Sequence, residues 1–504
     1  MARKKAQPAP QTPQPQTAQE GITRITIGGF KSFAHEQSID IKPLTILAGA
    51  NSSGKTSIMQ PLLLLKQTLE APYNPGPLML DGPNVNFSEA EQLLARTIDG
   101  QAKDTFSVEI VLENNFSIKT FLHKGRDGLF EIEKTIHRNS DANFAIQYCI
   151  HSAMPLEDLN KEIFSCFDQF SSTMEKSAVE LSSSIEYQIS TQSLDLQQIE
   201  DLRKLINVLH QSSNTFKESA AQMRTLDQYP FAVSQNRCFL DYSASSKVVA
   251  DTPDLPFSSQ KQIIDNLHQM LHLPGLRGNP QRTYPIIPLG PNFTNFSGTF
   301  EIYTASVIHD WQKNKQQEKL DQLNQDLERL GLTNKIVARQ ITSAHVELMV
   351  NRLLHNRDGV EDMVNIVDVG LGVSQAVPVV VALHMAGPGQ LVYIEQPEIH
   401  LHPRAQIALA GVIVDAALKG KRIVIETHSS LLLLGIQTLV AEKKISADLV
   451  RLHWFTQQEN GFTQITSADL DKTGAYGDWP EDFDEIALTS ESRYIKAAQA
   501  RLKE

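Results

Sequence analysis

Cysteine is scarce in this chain: Cys149, Cys166 and Cys238 are the only three among 504 residues, and they are scattered without metal-ligand spacing. That excludes a disulfide scaffold and a cysteine-built zinc site, and it fits a reducing cytoplasm in which the thiols pack as small hydrophobes. Long apolar runs are missing too. No stretch of about eighteen apolar residues occurs, so no membrane span is expected. Residues 1 to 20 begin basic but continue in Pro, Gln and Ala where a secretion signal would need an apolar segment, so they read as a disordered tail. Positive charge is also short. A formal net charge of −12 gives no global attraction to nucleic acid, so any such contact needs a local basic patch that the sequence does not locate.

What is present is an ordinary globular composition, 41% apolar and 21% charged, in a chain long enough for two lobes or one large domain with insertions. The stretch that organises it runs from Thr45 to Ser57. Gly49, Gly54, Lys55 and Thr56 fill the pattern G-x-x-x-x-G-K-[ST], with an apolar run before it and a helix-like segment after it. The two glycines let successive backbone N–H groups turn inward on phosphate oxygens, and the helix starting near Lys55 adds its positive end. Lys55 then reaches the β- and γ-phosphates and the Thr56 hydroxyl ligates Mg²⁺. Asn51, Ser53 and Ser57 complete the candidate nucleotide-binding set.

Around this loop the chain divides. Ile22–Ile27, Gln37–Ile41, Phe106–Leu112, Ser117–Leu122 and Phe130–Ile136 read as strands, which makes residues 21–150 rich in β-structure. From Leu156 to Asp227 Gly and Pro nearly vanish, and apolar residues recur at helical spacing, as in Ile199, Leu202, Leu205, Ile206 and Leu209. Residues 151–235 are therefore a helical insertion, either a lid on the core or a partner-binding arm of about 45 Å at most. The Leu276–Arg282 loop carries Arg277 and Arg282, either phosphate or subunit contacts or solvated charges. Residues 305–332 read as helical, Val364–Val369 as a strand and Ser374–Met385 as an apolar helix. Leu391–Ile394, Arg422–Ile425 and Ala447–Trp454 read as strands of one buried sheet, with 404–418 as a crossover helix.

The strand Leu391–Val392–Tyr393–Ile394 ends in Glu395, where a Walker B acid must stand to hold the Mg²⁺ carried by Thr56. Another strand, Arg422–Glu426, ends in Thr427 and His428. This order of motifs resembles the ATP-binding-cassette heads of the SMC and RecF type, including the OLD-like group, over residues 22–123 and 236–485. The resemblance implies an α/β fold, an ABC-type head with a mixed sheet around the P-loop and an antiparallel β subdomain, split into 21–150 and 236–504 by the helical insertion. It also implies a head-to-tail dimer or higher oligomer closing over ATP and Mg²⁺. Gly370–Gln375 stands at the signature motif, with Ser374 opening its helix and touching the opposite protomer's γ-phosphate, and His428 stands as the switch histidine. Where most cassette ATPases follow the Walker B acid with a glutamate, this chain has Gln396, then Pro397 and Glu398. An amide can hydrogen-bond water but cannot take its proton, so either hydrolysis is slow or Glu398 or another group assists.

The run Glu395–Pro403, the Leu276–Arg282 loop and the Gly477–Pro480 ending look most like the anti-phage ATPases of the PtuA type, found in Septu systems and in retrons. That resemblance implies an HNH nuclease partner of the PtuB type, and control by a reverse transcriptase with its msDNA. The competing readings are a RecF-like repair ATPase and an OLD-type nuclease. The second needs a further nuclease domain, for which the roughly 75 residues after His428 are too few. On that count Asp469 and Asp471 are surface acids, and His400 and His402 with Glu398 lack the partners of a metal site.

Overall fold

Leu44–Gly49 is buried along its whole length, and the protein is layered about it. The computed structural model describes residues 21–96, 100–141, 144–190, 196–224, 231–244, 260–289, 295–352 and 362–476; the N-terminal tail and the 477–480 ending lie outside them. The P-loop strand sits inside a six-stranded sheet ordered Leu271–Leu273, Leu391–Glu395, Arg422–Glu426, Leu44–Gly49, Val450–Gln457, Thr463–Ala468. The first five run parallel and the last antiparallel. Central parallel strands covered on both faces need apolar residues at every position, which is why these segments read as continuous hydrophobic runs. Leu44, Ile46, Val392, Ile394, Ile423 and Ile425 pack in one core with helices Leu371–Met385, Pro403–Leu418 and Ser430–Ala441. Leu47, Tyr393 and Val424 face the opposite core with Ile58, Met59 and Leu62 of the P-loop helix, Lys55–Glu70. Truncating Ile46 to alanine would cost about 2–5 kcal/mol through lost packing and the cavity left behind.

That second core is shared with a fully antiparallel sheet, ordered Gln37–Asp40, Ile22–Gly28, Thr105–Leu112, Phe116–Lys124, Phe130–Asp141, Phe144–His151. The last of these strands lay outside the sequence expectation. A smaller sheet joins Tyr284–Pro285, His345–Asn351, Ile336–Gln340 and Met363–Asn365. Here the expected strand over 364–369 is cut short. The Asn365 side chain accepts from Val367 N (3.1 Å) and turns the chain into a single 3-10 turn, Ile366–Asp368.

The insertion is an antiparallel helical hairpin, Leu156–Ser190 and Leu196–Arg224. Arg224 pairs with Asp168 and Lys217 with Glu175, so moving outward on one helix moves backward on the other. Its base is docked. Leu159, Ile163 and Phe167 are buried against Phe231 and Phe239, and the Asn160 amide donates to Phe231 O (3.0 Å) and accepts from Phe231 N (3.1 Å). The first helix has 35 residues and spans about 52 Å, longer than the 45 Å arm expected. No helix among the described residues is long and apolar enough to cross a membrane. Cys166 and Cys238 are buried, and burial pushes both thiols up to about 12. The whole is the expected α/β arrangement, a mixed sheet carrying the P-loop beside an antiparallel β layer, with a helical insertion.

Candidate nucleotide-binding site

The P-loop lies at the C-terminal ends of the parallel strands, where open α/β sheets place their ligands. Both bracketing glycines are required there. Gly49 has φ 141° and a Cβ on it would fall 2.3 Å from Phe455 O; Gly54 has φ 98° and a Cβ would meet Thr463 Oγ1 at 2.5 Å. Gly54 caps the P-loop helix with no side-chain hydrogen bond, so the first-turn N–H groups are left to an anion. Ser53 Oγ is buried with no hydrogen-bond partner among the described residues. Asn51 is exposed and Ser57 half-buried. A buried Lys55 donates to Gly49 O (3.0 Å) and Ala50 O (2.7 Å). Burial lowers its pKa and the charge of Glu426 opposes that shift. These residues fit a triphosphate: a turned cradle, an uncapped helix end, an unpaired hydroxyl and a cation.

The Mg²⁺ side brings in an acid that the sequence reading did not single out. Thr56 Oγ1 does not meet Glu395; it donates to Glu426, 2.8 Å and 3.0 Å from the two carboxylate oxygens. Tyr393 Oη donates to the same carboxylate (3.1 Å). Burial raises the Glu426 pKa, and the charge of Glu395 adds to the rise. Glu395 is in register with Glu426 across the parallel pair, but its carboxylate turns to the edge strand, accepting from His272 Nε2 (3.1 Å) and Gly275 N (3.0 Å). Burial alone would raise Glu395; the His272 ring, the Gly275 N–H and Arg277 outweigh it and hold it below the usual carboxylate range. Glu426 at the Thr56 hydroxyl, with the Glu395 charge close enough to act on it, would suit one Mg²⁺ whose other ligands are phosphate oxygens and water. Among the described residues no group of three or more His, Cys, Asp or Glu side chains forms a metal site by itself.

After Glu395 the chain turns on Gln396 in a left-handed conformation, φ 44°, and His400 does the same at φ 63°. A non-glycine residue held there stores strain and marks a constrained turn. Gln396 N donates to Glu426 O (2.7 Å). Glu398 is buried, and its Oε1 accepts from Thr427 Oγ1 (2.8 Å) and His428 N (2.9 Å). Burial raises its pKa. That geometry makes Glu398 a tie between the two strand ends through Oε1, while its Oε2 is buried with no hydrogen-bond partner among the described residues. His428 is half-buried, its pKa lowered by burial and then by Lys55, so the ring stays neutral near pH 7. His402 caps helix Pro403–Leu418 by accepting from Arg404 N.

Ser374 does not open its helix. The helix begins at Leu371 with Gly370 as N-cap, and Ser374 sits in the first turn with its hydroxyl on Leu371 O (3.0 Å). Arg277 is neither a phosphate contact nor a surface charge. It is 3% exposed and donates to Pro274 O, Gln375 O, Glu395 O and Gln396 O. Arg282 is exposed and pairs with Asp368 (2.8 Å). Asp469 pairs with Arg451 and Lys42, and Asp471 closes a local turn on Thr473, as surface acids do. Beside the P-loop a cleft of about 420 Å³ is lined by Lys31, Ser32, Arg96, Asn460 and Phe462. Thr463 Oγ1 joins Ser32 Oγ (2.7 Å) to Ser53 O (2.8 Å).

Strand, glycine-bracketed loop, lysine and acid-ended neighbours define a P-loop nucleotide-binding protein. The chain belongs to the AAA ATPase domain family, whose model matches residues 21–433. It is thus an ATPase by family. No curated protein matches it. Among solved structures it is similar to an Smc head domain with an extended coiled coil bound to the C-terminal domain of ScpA, from Pyrococcus furiosus, at 11% identity over 94% of this chain and 99% of that one, TM-score 0.42. It is also similar to the SMC head domain from Thermotoga maritima, at 12% identity over 88% and 98%, TM-score 0.35.

Proposed function

We propose that this ATPase holds Mg–ATP as a switch for assembly and hydrolyses it slowly. The observation that carries the reading is the Gln396 turn. Where attack on the γ-phosphate needs a carboxylate to take a proton from water, the turn after Glu395 presents an amide, and Glu398 is committed to Thr427 and His428. Phosphates rest on the Gly49–Thr56 loop, Lys55 reaches the β- and γ-phosphates, Thr56 with Glu395 and Glu426 holds Mg²⁺, and the nucleoside enters the cleft beside Ser32. His428 senses the γ-phosphate from the neighbouring strand end. Ser374 completes the site of a second copy in a head-to-tail pair.

The motif resemblance supports a finer reading, in which the ATP-closed assembly is the regulatory or effector subunit of an anti-phage system in the cytoplasm. Its partner is then an HNH nuclease of the PtuB type, held in check in retrons by a reverse transcriptase with its msDNA. Lys55→Ala removes the cation that the loop is folded around. We expect loss of nucleotide binding by at least about 100-fold, read by fluorescence titration, together with loss of nucleotide-dependent assembly in a mass measurement. Wild-type binding by that variant would refute the site. Co-purification with an HNH subunit tests the partner separately.

A further inference from the structure

The sequence motif around Leu276–Arg282 is left without a task by the nucleotide reading, yet the segment leading into it grips the acid turn at four points. His272, on the three-residue edge strand Leu271–Leu273, lies 1% exposed beneath Glu395 with its ring stacked on Tyr393, centroids 5.4 Å apart and planes 9° apart. Its Nε2–H donates to Glu395 Oε1 (3.1 Å), and Gly275 N–H donates to Glu395 Oε2 (3.0 Å). Arg277 holds the carbonyls of both Glu395 and Gln396 at 2.8 Å. The other face of the His272 ring system is fixed as well. Nδ1 lies 3.1 Å from Asn84 Oδ1. The ring is thus held at both nitrogens, by the Asn84 amide oxygen on one side and the Glu395 carboxylate on the other.

We propose that residues 271–277 are a positioning clamp on the Glu395–Gln396 turn, in which Asn84 fixes the His272 ring from its far nitrogen, His272 and Gly275 aim the Glu395 carboxylate, and Arg277 holds the strained backbone after it. The clamp rests on the reading that Glu395 serves the Mg²⁺ carried by the nucleotide. Outer partners of this kind fix the direction and basicity of a metal-binding carboxylate, and losing one costs 10–100-fold in metal affinity. The same Arg277 also donates to Gln375 O, one residue from Ser374, so the clamp ties the acid turn to the helix that faces a second copy.

The test uses the full chain and reads Mg²⁺-dependent tightening of a fluorescent ATP analogue at equilibrium, beside its affinity in EDTA. For His272→Leu we expect the half-saturating Mg²⁺ concentration to rise about 10–100-fold with the metal-free affinity within about two-fold of wild type. His272→Gln, which keeps a donor for Glu395, should recover most of the loss. Asn84→Ala, at a half-buried position that tolerates truncation, should give a smaller shift in the same direction. If His272→Leu does not fold, Asn84→Ala and His272→Gln decide. Wild-type Mg²⁺ dependence in folded Asn84→Ala or His272→Leu, alongside a loss in Glu395→Gln, overturns the clamp. Wild-type Mg²⁺ dependence in Glu395→Gln overturns the assignment of Glu395 itself, and the clamp with it.

Discussion

Glu395 and Glu426 end two neighbouring parallel strands of nearly the same sequence pattern, stand in register, and have opposite environments. Glu395 is drawn towards the edge strand, where a ring, a backbone N–H and a buried guanidinium hold it ionised. Glu426 is pressed between the P-loop helix and Tyr393, where burial favours its proton, its hydrogen bonds come from two hydroxyls and Lys55 acts on it only by charge. The difference teaches that a carboxylate at a strand's C-terminal end gets its task from the elements on either side of the strand. The sharpest way to break the comparison is to neutralise each acid in turn. Glu395→Gln should lower kcat by about 10²–10³-fold with nucleotide affinity in EDTA near wild type, because it removes the negative charge proposed to serve the Mg²⁺. Glu426→Gln should lower kcat about 10-fold, since an amide oxygen still accepts from Thr56. Steady-state ATPase rates with the two effects reversed would make Glu426 the principal Mg²⁺ acid.

A second, smaller effect probes the residue between them. Gln396→Glu restores a proton acceptor on the turn that both acids flank, and general-base assistance is worth about 10²–10⁴-fold when fully positioned. The left-handed backbone and the nearby charges of Glu395 and Glu426 oppose a third carboxylate, so we expect a rise in kcat nearer 10-fold. An unchanged steady-state rate would show that the amide is not what limits turnover.

Much of this arrangement is legible along the chain. Gly49–Thr56 is readable because phosphate binding by a turned loop is a local property of backbone and residue type, and Leu391–Glu395 is readable because buried parallel strands are apolar throughout. Glu426 repeats the Glu395 pattern just before Thr427–His428, and that repetition was the available signal for it. His272 and Asn84 gave no comparable signal, since the partners that define them lie 123 and 188 residues away in the chain, and Arg277, though visible as a loop arginine, gave no sign of its partners on Gln375 and the Glu395–Gln396 turn. The edge strand Leu271–Leu273 is too short to announce itself. Thr463–Ala468 is an edge strand with mostly polar residues and no apolar alternation, so it escaped for the opposite reason. Glu398 looked like a spare base because its spacing is right; only the fold shows one of its oxygens engaged by the next strand's end.

The smallest expected effect separates the two acids without any nucleotide. Glu426 has a folded-state pKa raised above its unfolded value, so the folded protein binds its proton more tightly than the unfolded chain does. Its contribution to stability is therefore fully present below the ordinary carboxylate pKa and is lost as pH rises through the raised folded value. Glu395 has a lowered pKa, so its contribution is present above the ordinary value and is lost as pH falls through the folded one. Measured by melting of the nucleotide-free protein near pH 7.5, Glu426→Gln should raise Tm by about 1–3 °C, and Glu395→Gln should lower it by a similar amount. The Glu426→Gln gain should shrink towards zero as the pH is brought down to the carboxylate range, where the native acid carries its own proton. A gain that stays constant with pH would mean that packing against Tyr393, and not the buried charge, separates the two strand ends.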